Sequence, residues 1–577
     1  MAPPRPTARL LTLAALAALT AATSSTPDCR CFPTDPCWPS AADWAALNTT
    51  VSGRLIATVP IGSVCHAPTY DAEKCKALQD TWHDTAAHDE SSSSIMAPVW
   101  AAQSCDPFTD PSTPCELGNY VRYAINVTEP ADIAAGIAFA KEHNVRLVVR
   151  NTGHDYLGKS TGAGALAVWT HHLKDITYIP AYSGAANWTG AAMKLGAGVQ
   201  GFEAYRAADP YGVTVVGGEC DTVGIAGGYT QGGGHSALMS RYGLAADQVL
   251  EWEVVTADGK HRVANRRKNS DLYWALSGGG GGTYGVVTSM TVKAHPDGVT
   301  SAATLTFTHD GSAEMVEKWY DALDFFHQMT LSYTDRGAFS VNAFFTGSFS
   351  LGPWFGPGLT KTESEELLAP LVAKLDELEL PYTYNMTEFS SYLSAFNDMF
   401  DYNVVGIAQY GGRLIPRKTV LENREGLNKA IRGIIDTGSL IFEITTHPTM
   451  EIAGYPDNAV LPAWRDNELS IVVTIPWNDT APMSKAYADQ KIITNVWDAA
   501  LRELAPDSGV YMNEADPYEP NFQKEFFGVN YDRLLKIKDK YDPEHIFYAI
   551  TAVGSDRWTV EDSGRLCRSG VVMHDEL

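Results

Sequence analysis

The sequence predicts an α+β fold, in which two α+β domains, the second built on an antiparallel sheet, follow a disulfide-rich N-terminal segment. Three observations predict it. Residues 130–150 step from a helical pattern into a short apolar strand, and short strands then alternate with glycine turns to about residue 294. From about 301 to 500, strand patterns alternate with amphipathic helices. Seven of the nine cysteines lie before residue 116. The chain has 577 residues, 45% of them hydrophobic and 19% charged, ample for large cores and incompatible with bulk disorder.

Residues 1–24 carry Arg5 and Arg9, then an apolar run from Leu10 to Ala22 and small residues, the layout of a secretory signal peptide. No later run approaches the ~20 apolar residues that span a bilayer, so no membrane insertion is expected. Forty-three Lys and Arg against 68 Asp and Glu give a net charge of −25, which repels phosphate backbones and excludes nucleic acid as an expected partner. The basic run Arg266-Arg267-Lys268 reads as a solvated turn.

Sequons at Asn48, Asn126, Asn187, Asn385 and Asn478 fit a glycosylating compartment. The chain ends His574-Asp575-Glu576-Leu577, an HDEL tail that reads as an address for the endoplasmic-reticulum retrieval receptor. The expected location is therefore the lumen of the endoplasmic reticulum, with secretion as the alternative. In that oxidising setting Cys29, Cys31, Cys37, Cys65, Cys75, Cys105, Cys115 and Cys567 can form four disulfides, with Cys567 fastening the tail to the N-terminal segment. Cys220 is left over.

The expected units are 1–24 signal peptide, 25–115 Cys-rich segment, 116–300 first domain, 301–505 second domain, 506–555 a segment returning to the first, and 556–577 the tail. Within them Pro130 starts a helix running to Lys141 ahead of a strand at 146–150. Asp258-Gly259 marks a hairpin between strands 251–256 and 261–264. Further strands are expected at 303–308 and 469–476. A helix at 365–380 carries Leu368, Leu371, Leu375 and Leu378 on one face, and a helix at 531–540 ends before Asp542-Pro543.

Three glycine-rich stretches carry the chemistry: 150–158, 217–234 and 278–282. Glycines let backbone N–H groups crowd around a ligand, and clustered N–H groups suit a pyrophosphate. None has the Gly-Lys-Ser/Thr end of a P-loop, and none reads as a Rossmann turn. His235 and the adjacent His171-His172 lack a further ligand set with zinc spacing, so no metal is expected.

The stretch RNTGHDYLGKSTG (150–162) resembles the cofactor loop of the berberine bridge enzyme-like FAD-linked oxidases, within the vanillyl-alcohol oxidase superfamily. Residues 218–234 with 242–247 resemble that family's second flavin loop, and LYWALSGGGGGTYGVV (272–287) a third motif. Residues 527–531 and 538–543, with Tyr511 and Asn513 upstream, resemble its closing segment. The likeness spans roughly residues 116–552, and the Cys-rich start is most similar to secreted fungal members.

The resemblance implies a PCMH-type FAD-binding domain at 116–300, a substrate domain at 301–505 and FAD as cofactor. It implies covalent attachment through His154 to the 8α-methyl and through Cys220 to C6 of the isoalloxazine. It also places Arg150, Asn151, Thr152, Gly153, Asp155, Gly158, Ser160, Gly218, Val223, Gly224, Gly227, Gly228, Gly233, Gly234, Val287, Tyr511, Asn513 and Asn530 around FAD, with Val223 where oxidases leave room for O2. Asp457 is the expected base, and Tyr410 and Tyr455 are alternative hydroxyls. The expected activity is oxidation of an alcohol, carbinol or amine carbon of a small molecule, with O2 as acceptor and H2O2 as product, in secondary metabolism. Two alternatives stay open: a flavin-bound binding protein with vestigial turnover, and an extracellular carbohydrate oxidase.

Overall fold

The computed structural model describes residues 28–184, 188–400 and 404–569. The signal-peptide reading, the Asn187 sequon and the HDEL tail lie outside them. Among the described residues no helix is long and apolar enough to cross a membrane.

Among the described residues the first half holds a two-stranded pair, Val213–Thr214 with His295–Pro296, and two larger sheets. In one, the order is Leu55–Ala57, Tyr123–Asn126, Leu166–Trp169, Leu147–Arg150, and the last three strands run parallel. The expected helix is Pro130–Glu142, with proline in its first turn and Asp132 closing a capping box. Its buried Ile133, Ile137 and Phe139 pack on these strands together with Trp44. The other sheet is antiparallel, in the order Ile176–Ile179, Ala192–Gly196, Val286–Lys293, Val249–Val255, His261–Ala264. The hairpin at 258–259 closes as expected, Val255 pairing with His261 and Gly259 taking a φ of +74°.

The second half is one seven-stranded antiparallel sheet. Its order is Tyr382–Phe389, Thr300–Thr308, Ser348–Pro357, Phe339–Phe345, Leu440–Thr445, Asn467–Pro476, Ala408–Pro416. Helices Ala313–Thr334 and Lys361–Leu378 share a core with it, including Trp319, Phe326 and the expected leucine face. Each such leucine contributes roughly 1.5–3 kcal/mol by leaving water. The second helix begins at Lys361 rather than 365, because Thr360 and Glu363 form a capping box that the leucine spacing does not reveal.

The closing helix Tyr531–Tyr541 returns to the first half, fastened by a buried ion pair. Lys538 Nζ donates to Asp542 at 2.6 Å, to the Thr283 carbonyl at 2.8 Å and to the Phe547 carbonyl at 2.7 Å, so the third glycine stretch and the C-terminal segment share one cation. Four disulfides join Cys29–Cys567, Cys31–Cys37, Cys65–Cys75 and Cys105–Cys115, and Cys220 takes part in none.

Candidate active site

The first glycine loop leaves strand Leu147–Arg150, whose last side chain is buried and donates to the Ser91 carbonyl at 3.2 Å. Gly153, with a φ of +98°, lies so close to it that a Cβ would stand 2.4 Å from the Arg150 guanidinium, so no larger residue fits. The Asp155 carboxylate staples the loop by accepting from Leu157 N at 3.1 Å and from Ser160 N and Oγ at 2.6 and 2.9 Å. Gly158 packs over the Trp100 ring, and Thr152 is buried.

The second loop docks on the first. A Cβ on Gly224 would sit 2.1 Å from Asn151 Oδ1, and one on Gly227 3.3 Å from the same amide, so two glycines admit one asparagine. The docking places His154 Nε2 2.8 Å from Thr222 Oγ1, with Cys220 Sγ 3.8 Å from the same hydroxyl. The two expected attachment residues thus meet at one threonine. Burial, then the proximity of His88 and the positive charge of Arg150, lower the His154 pKa to about 4, so its imidazole is neutral at neutral pH. Burial raises the Cys220 thiol to about 11. Val223 donates its N–H to the Cys220 carbonyl at 3.3 Å, and the Gly218 carbonyl accepts from Tyr205 Oη at 2.7 Å.

The closing segment supplies the third wall. Asn513 Nδ2 donates to the Gly228 carbonyl at 3.0 Å and to Tyr511 Oη at 2.9 Å. Gly233 and Gly234 turn through φ of +122° and +77° beneath it. Val287 is buried in strand Val286–Lys293. Asn530 does not join this group; it donates to the Ala459 and Val460 carbonyls, both at 3.2 Å, and ties the closing segment to that turn.

Beside the glycine loops lies a charged cluster that sequence reasoning missed. His235 is buried between two carboxylates, with Nδ1 3.0 Å from Glu219 and Nε2 2.7 Å from Glu514. Burial alone would depress its pKa, but the charges of Glu514 and Glu219 and their hydrogen bonds hold the proton and push it well above the usual histidine value. Tyr511 packs edge-on against the His235 ring at 5.3 Å. Tyr156 and Tyr410 stack at 4.1 Å, and burial raises both phenols, Tyr410 to about 12, with the Glu514 charge adding to the shift of each.

Of the three expected catalytic residues, only Tyr410 reaches this cluster. Asp457 is exposed, and so is Tyr455, at 69% of its surface. Their neighbours explain why. Asn458 donates to Asp247 at 2.7 Å and Arg465 grips the same carboxylate with two bonds of 2.8 Å, anchoring the segment with Asp457 on its outer side. Ala459, Val460, Leu461 and Trp464 are the buried residues of that stretch, Trp464 packing on Tyr511 at 5.3 Å. His235 stood in the sequence as a lone histidine, because its two carboxylates come from a position 16 residues earlier and one 279 residues later.

The residues present fit a flavin nucleotide. Arg150 Nε, Asn151 Oδ1 and Gln231 Oε1 are buried at the loops without a hydrogen-bond partner in the protein. Gly228 borders open space, where the backbone can approach a ligand without interference from a Cβ. Among the described residues, the groups of His, Cys, Asp and Glu close enough to share a metal ion do not include His154, Cys220 or His235.

Comparison with known proteins agrees. Residues 121–265 match the FAD binding domain family, and residues 510–554 the family described as berberine and berberine like. The chain is 46% identical over 545 residues to the FAD-linked oxidoreductase patO of Aspergillus clavatus, covering 94% of each. It is 42% identical over 566 residues to the VAO-type flavoprotein oxidase VAO615 of Thermothelomyces thermophilus, covering 94% of this chain and 96% of that one. The crystal structure of the VAO-type flavoprotein MtVAO615 from Myceliophthora thermophila superposes with a TM-score of 0.90 at 41% identity, over 94% of this chain and all of that one. Glucooligosaccharide oxidase from Acremonium strictum shares the fold at a TM-score of 0.60 and 20% identity, over 75% of this chain and 92% of that one. With its glycine loops, its closing segment and its whole-length relatives, the chain belongs to the berberine bridge enzyme-like, VAO-type family of FAD-linked oxidoreductases.

Proposed function

We propose that the protein is an FAD-dependent oxidase of a small apolar alcohol or carbinol, with its flavin held covalently by His154 and Cys220. The observation that carries this reading is the meeting of both nucleophiles at Thr222. A neutral imidazole is nucleophilic, and the Thr222 hydroxyl links it to the thiol, whose proton must leave before sulfur can bond. The crystallised glucooligosaccharide oxidase is described as carrying a 6-S-cysteinyl, 8α-N1-histidyl FAD, and that chemistry is carried to this chain as part of the proposal.

When bound, FAD supplies hydride acceptance and the passage of electrons to O2. The protein's part is to place the substrate and move its hydroxyl proton. Glu514 is the proposed base, replacing Asp457. Its carboxylate borders Tyr156 and Tyr410, which orient the hydroxyl, and its bond to protonated His235 spreads an arriving proton over a three-membered network with Glu219. The opening beside the two tyrosines is lined mostly by apolar groups, Ala97, Val99, Ala408, Trp477 and Pro517, with Gln409 and Gln490 among them, a mouth suited to a largely apolar molecule that carries a polar group. The four disulfides fit an oxidising compartment, and entry by the N-terminal signal with retrieval by the HDEL tail belongs to the same proposal.

Three experiments test it. Acid precipitation of purified protein should leave the yellow colour in the pellet, and a panel of apolar alcohols should yield H2O2. Free FAD in the supernatant removes covalent attachment, whereas turnover restricted to sugars removes the substrate class. A chain truncated after Met573 should appear in the medium while the full chain stays inside the cell.

A further inference from the structure

A second cluster lies outside the chemistry described so far. Gly411 follows Tyr410 in strand Ala408–Pro416, and a Cβ there would stand 2.4 Å from Asp498 Oδ2. Successive strand residues face opposite sides, so the Asp498 carboxylate occupies the face of the strand away from Tyr410. Carboxylate oxygens of Asp498, Asp516 and Glu519 lie within 4.8 Å of one another, and the three residues are 1%, 0% and 4% exposed. Neither oxygen of Asp498 has a hydrogen-bond partner, and one oxygen each of Asp516 and Glu519 also lacks one. Carboxylates this deep are costly unless paired or bound to a cation.

The charges do not close. Arg502 pairs with Glu519 at 3.0 Å, and Glu525 takes Arg413 at 3.1 Å with Lys524 at 3.7 Å. Asp498 and Asp516 have no ion pair of their own among the described residues. Gln490 donates to Asp516 at 2.9 Å, which orients that carboxylate without supplying charge. We propose that Asp498, Asp516 and Glu519 bind one hard divalent cation, Ca2+. Purely oxygen donors disfavour zinc and copper, and the four carboxylate oxygens without a hydrogen-bond partner supply part of the roughly six to eight oxygens that Ca2+ takes, with water completing the set. Mg2+ fits less well, because it demands near-octahedral geometry and gives up its water reluctantly. Protons on Asp498 and Asp516 would neutralise the same carboxylates and are the rival occupant.

The cation would act as a positioning device. Asp516 and Glu519 end the loop that carries Tyr511, Asn513 and Glu514, while Asp498 starts helix Asp498–Leu504 beside the strand of Tyr410. One ion therefore fastens the loop of the proposed base to the strand of the tyrosine that faces it. The binding claim is independent of the flavin reading; only this consequence rests on it.

The test uses the purified holoenzyme. Elemental analysis after gel filtration in metal-free buffer should find about one Ca2+ per chain, removable by EGTA. EGTA should lower Tm and slow flavin reduction while leaving the flavin attached, and CaCl2 should restore both where MgCl2 does not. Asp498→Asn should bind no Ca2+ and ignore EGTA; if it fails to fold, Glu519→Gln and the wild-type EGTA and CaCl2 titration give the same reading. A Tm indifferent to EGTA and to millimolar CaCl2, with no retained cation, assigns the cluster to protons and overturns the proposal. Ca2+ retained equally by Asp498→Asn places it elsewhere on an acidic surface and overturns it too.

Discussion

His154 and His235 stand on neighbouring glycine loops of one domain, and burial pushes both imidazoles toward the neutral form. They end in opposite states. His154 meets a hydroxyl and the Arg150 charge and falls to about 4, while His235 meets two carboxylates and rises well above its usual value. The same side chain becomes a nucleophile in one place and a held proton in the other, and the neighbours, not the depth, decide which. A pair of histidines in one cleft is therefore an acid–base assignment when their charge surroundings differ.

The largest expected effect breaks the His154 side. His154→Ala with Cys220→Ala should move all acid-stable colour into the supernatant, while either single change retains one bond; colour that stays in the double-variant pellet refutes the assignment. Next, Glu514→Gln should slow anaerobic flavin reduction by about 10²–10⁴-fold with a near-native spectrum, the usual contribution of a positioned base. An unchanged rate would return the role to Tyr410 or Tyr156.

Glu219→Gln should cost about tenfold, the effect of one charge-assisted hydrogen bond of ~1.5 kcal/mol. The sign of the pH dependence follows from the raised pKa of His235. Its ion network stabilises the fold fully below the unfolded histidine pKa of about 6.5 and loses that contribution as pH rises through the folded value. Flavin reduction should accordingly be flat through neutral pH and change only on the alkaline side, and Glu219→Gln should bring that change to lower pH. A rate that instead bends on the acid side of neutrality would mean that His235 is not the held proton. The smallest effect is expected of Asp457→Asn, about twofold at most, as for an exposed side chain away from the cleft; a loss of a hundredfold would restore it as the base.

What the sequence shows and what it hides divide along the same line. Local signals are legible: Pro130 opens its helix, Asp258-Gly259 closes its hairpin, and the leucine face of Lys361–Leu378 is buried as its spacing requires. The glycine loops are legible because backbone crowding leaves a residue type behind. The proton network is not. Glu219 and His235 stand 16 residues apart with no spacing rule between them, and only the docking of the closing segment, 279 residues on, brings Glu514 to the pair. Asp457 illustrates the converse: an acid at a plausible distance from an arginine, turned outward because Asn458 and Arg465 spend their bonds on Asp247.

The bridge between Cys29 and Cys567 sets a clock on assembly. The other three disulfides span 6 or 10 residues, so each pair can close soon after its second cysteine is made. The partner of Cys29 lies 538 residues further on, and at the usual rates of synthesis it arrives roughly half a minute to two minutes later. Through that interval Cys29 is a thiol two positions from Cys31, exposed to the wrong partner. Correct pairing is therefore a statement that the whole chain has been read and folded, because strand Leu566–Arg568 must already be in place beside Cys29. A reactive thiol at either end marks a molecule that is unfinished or has opened again, and a quality-control oxidoreductase could distinguish the two populations by that chemistry alone.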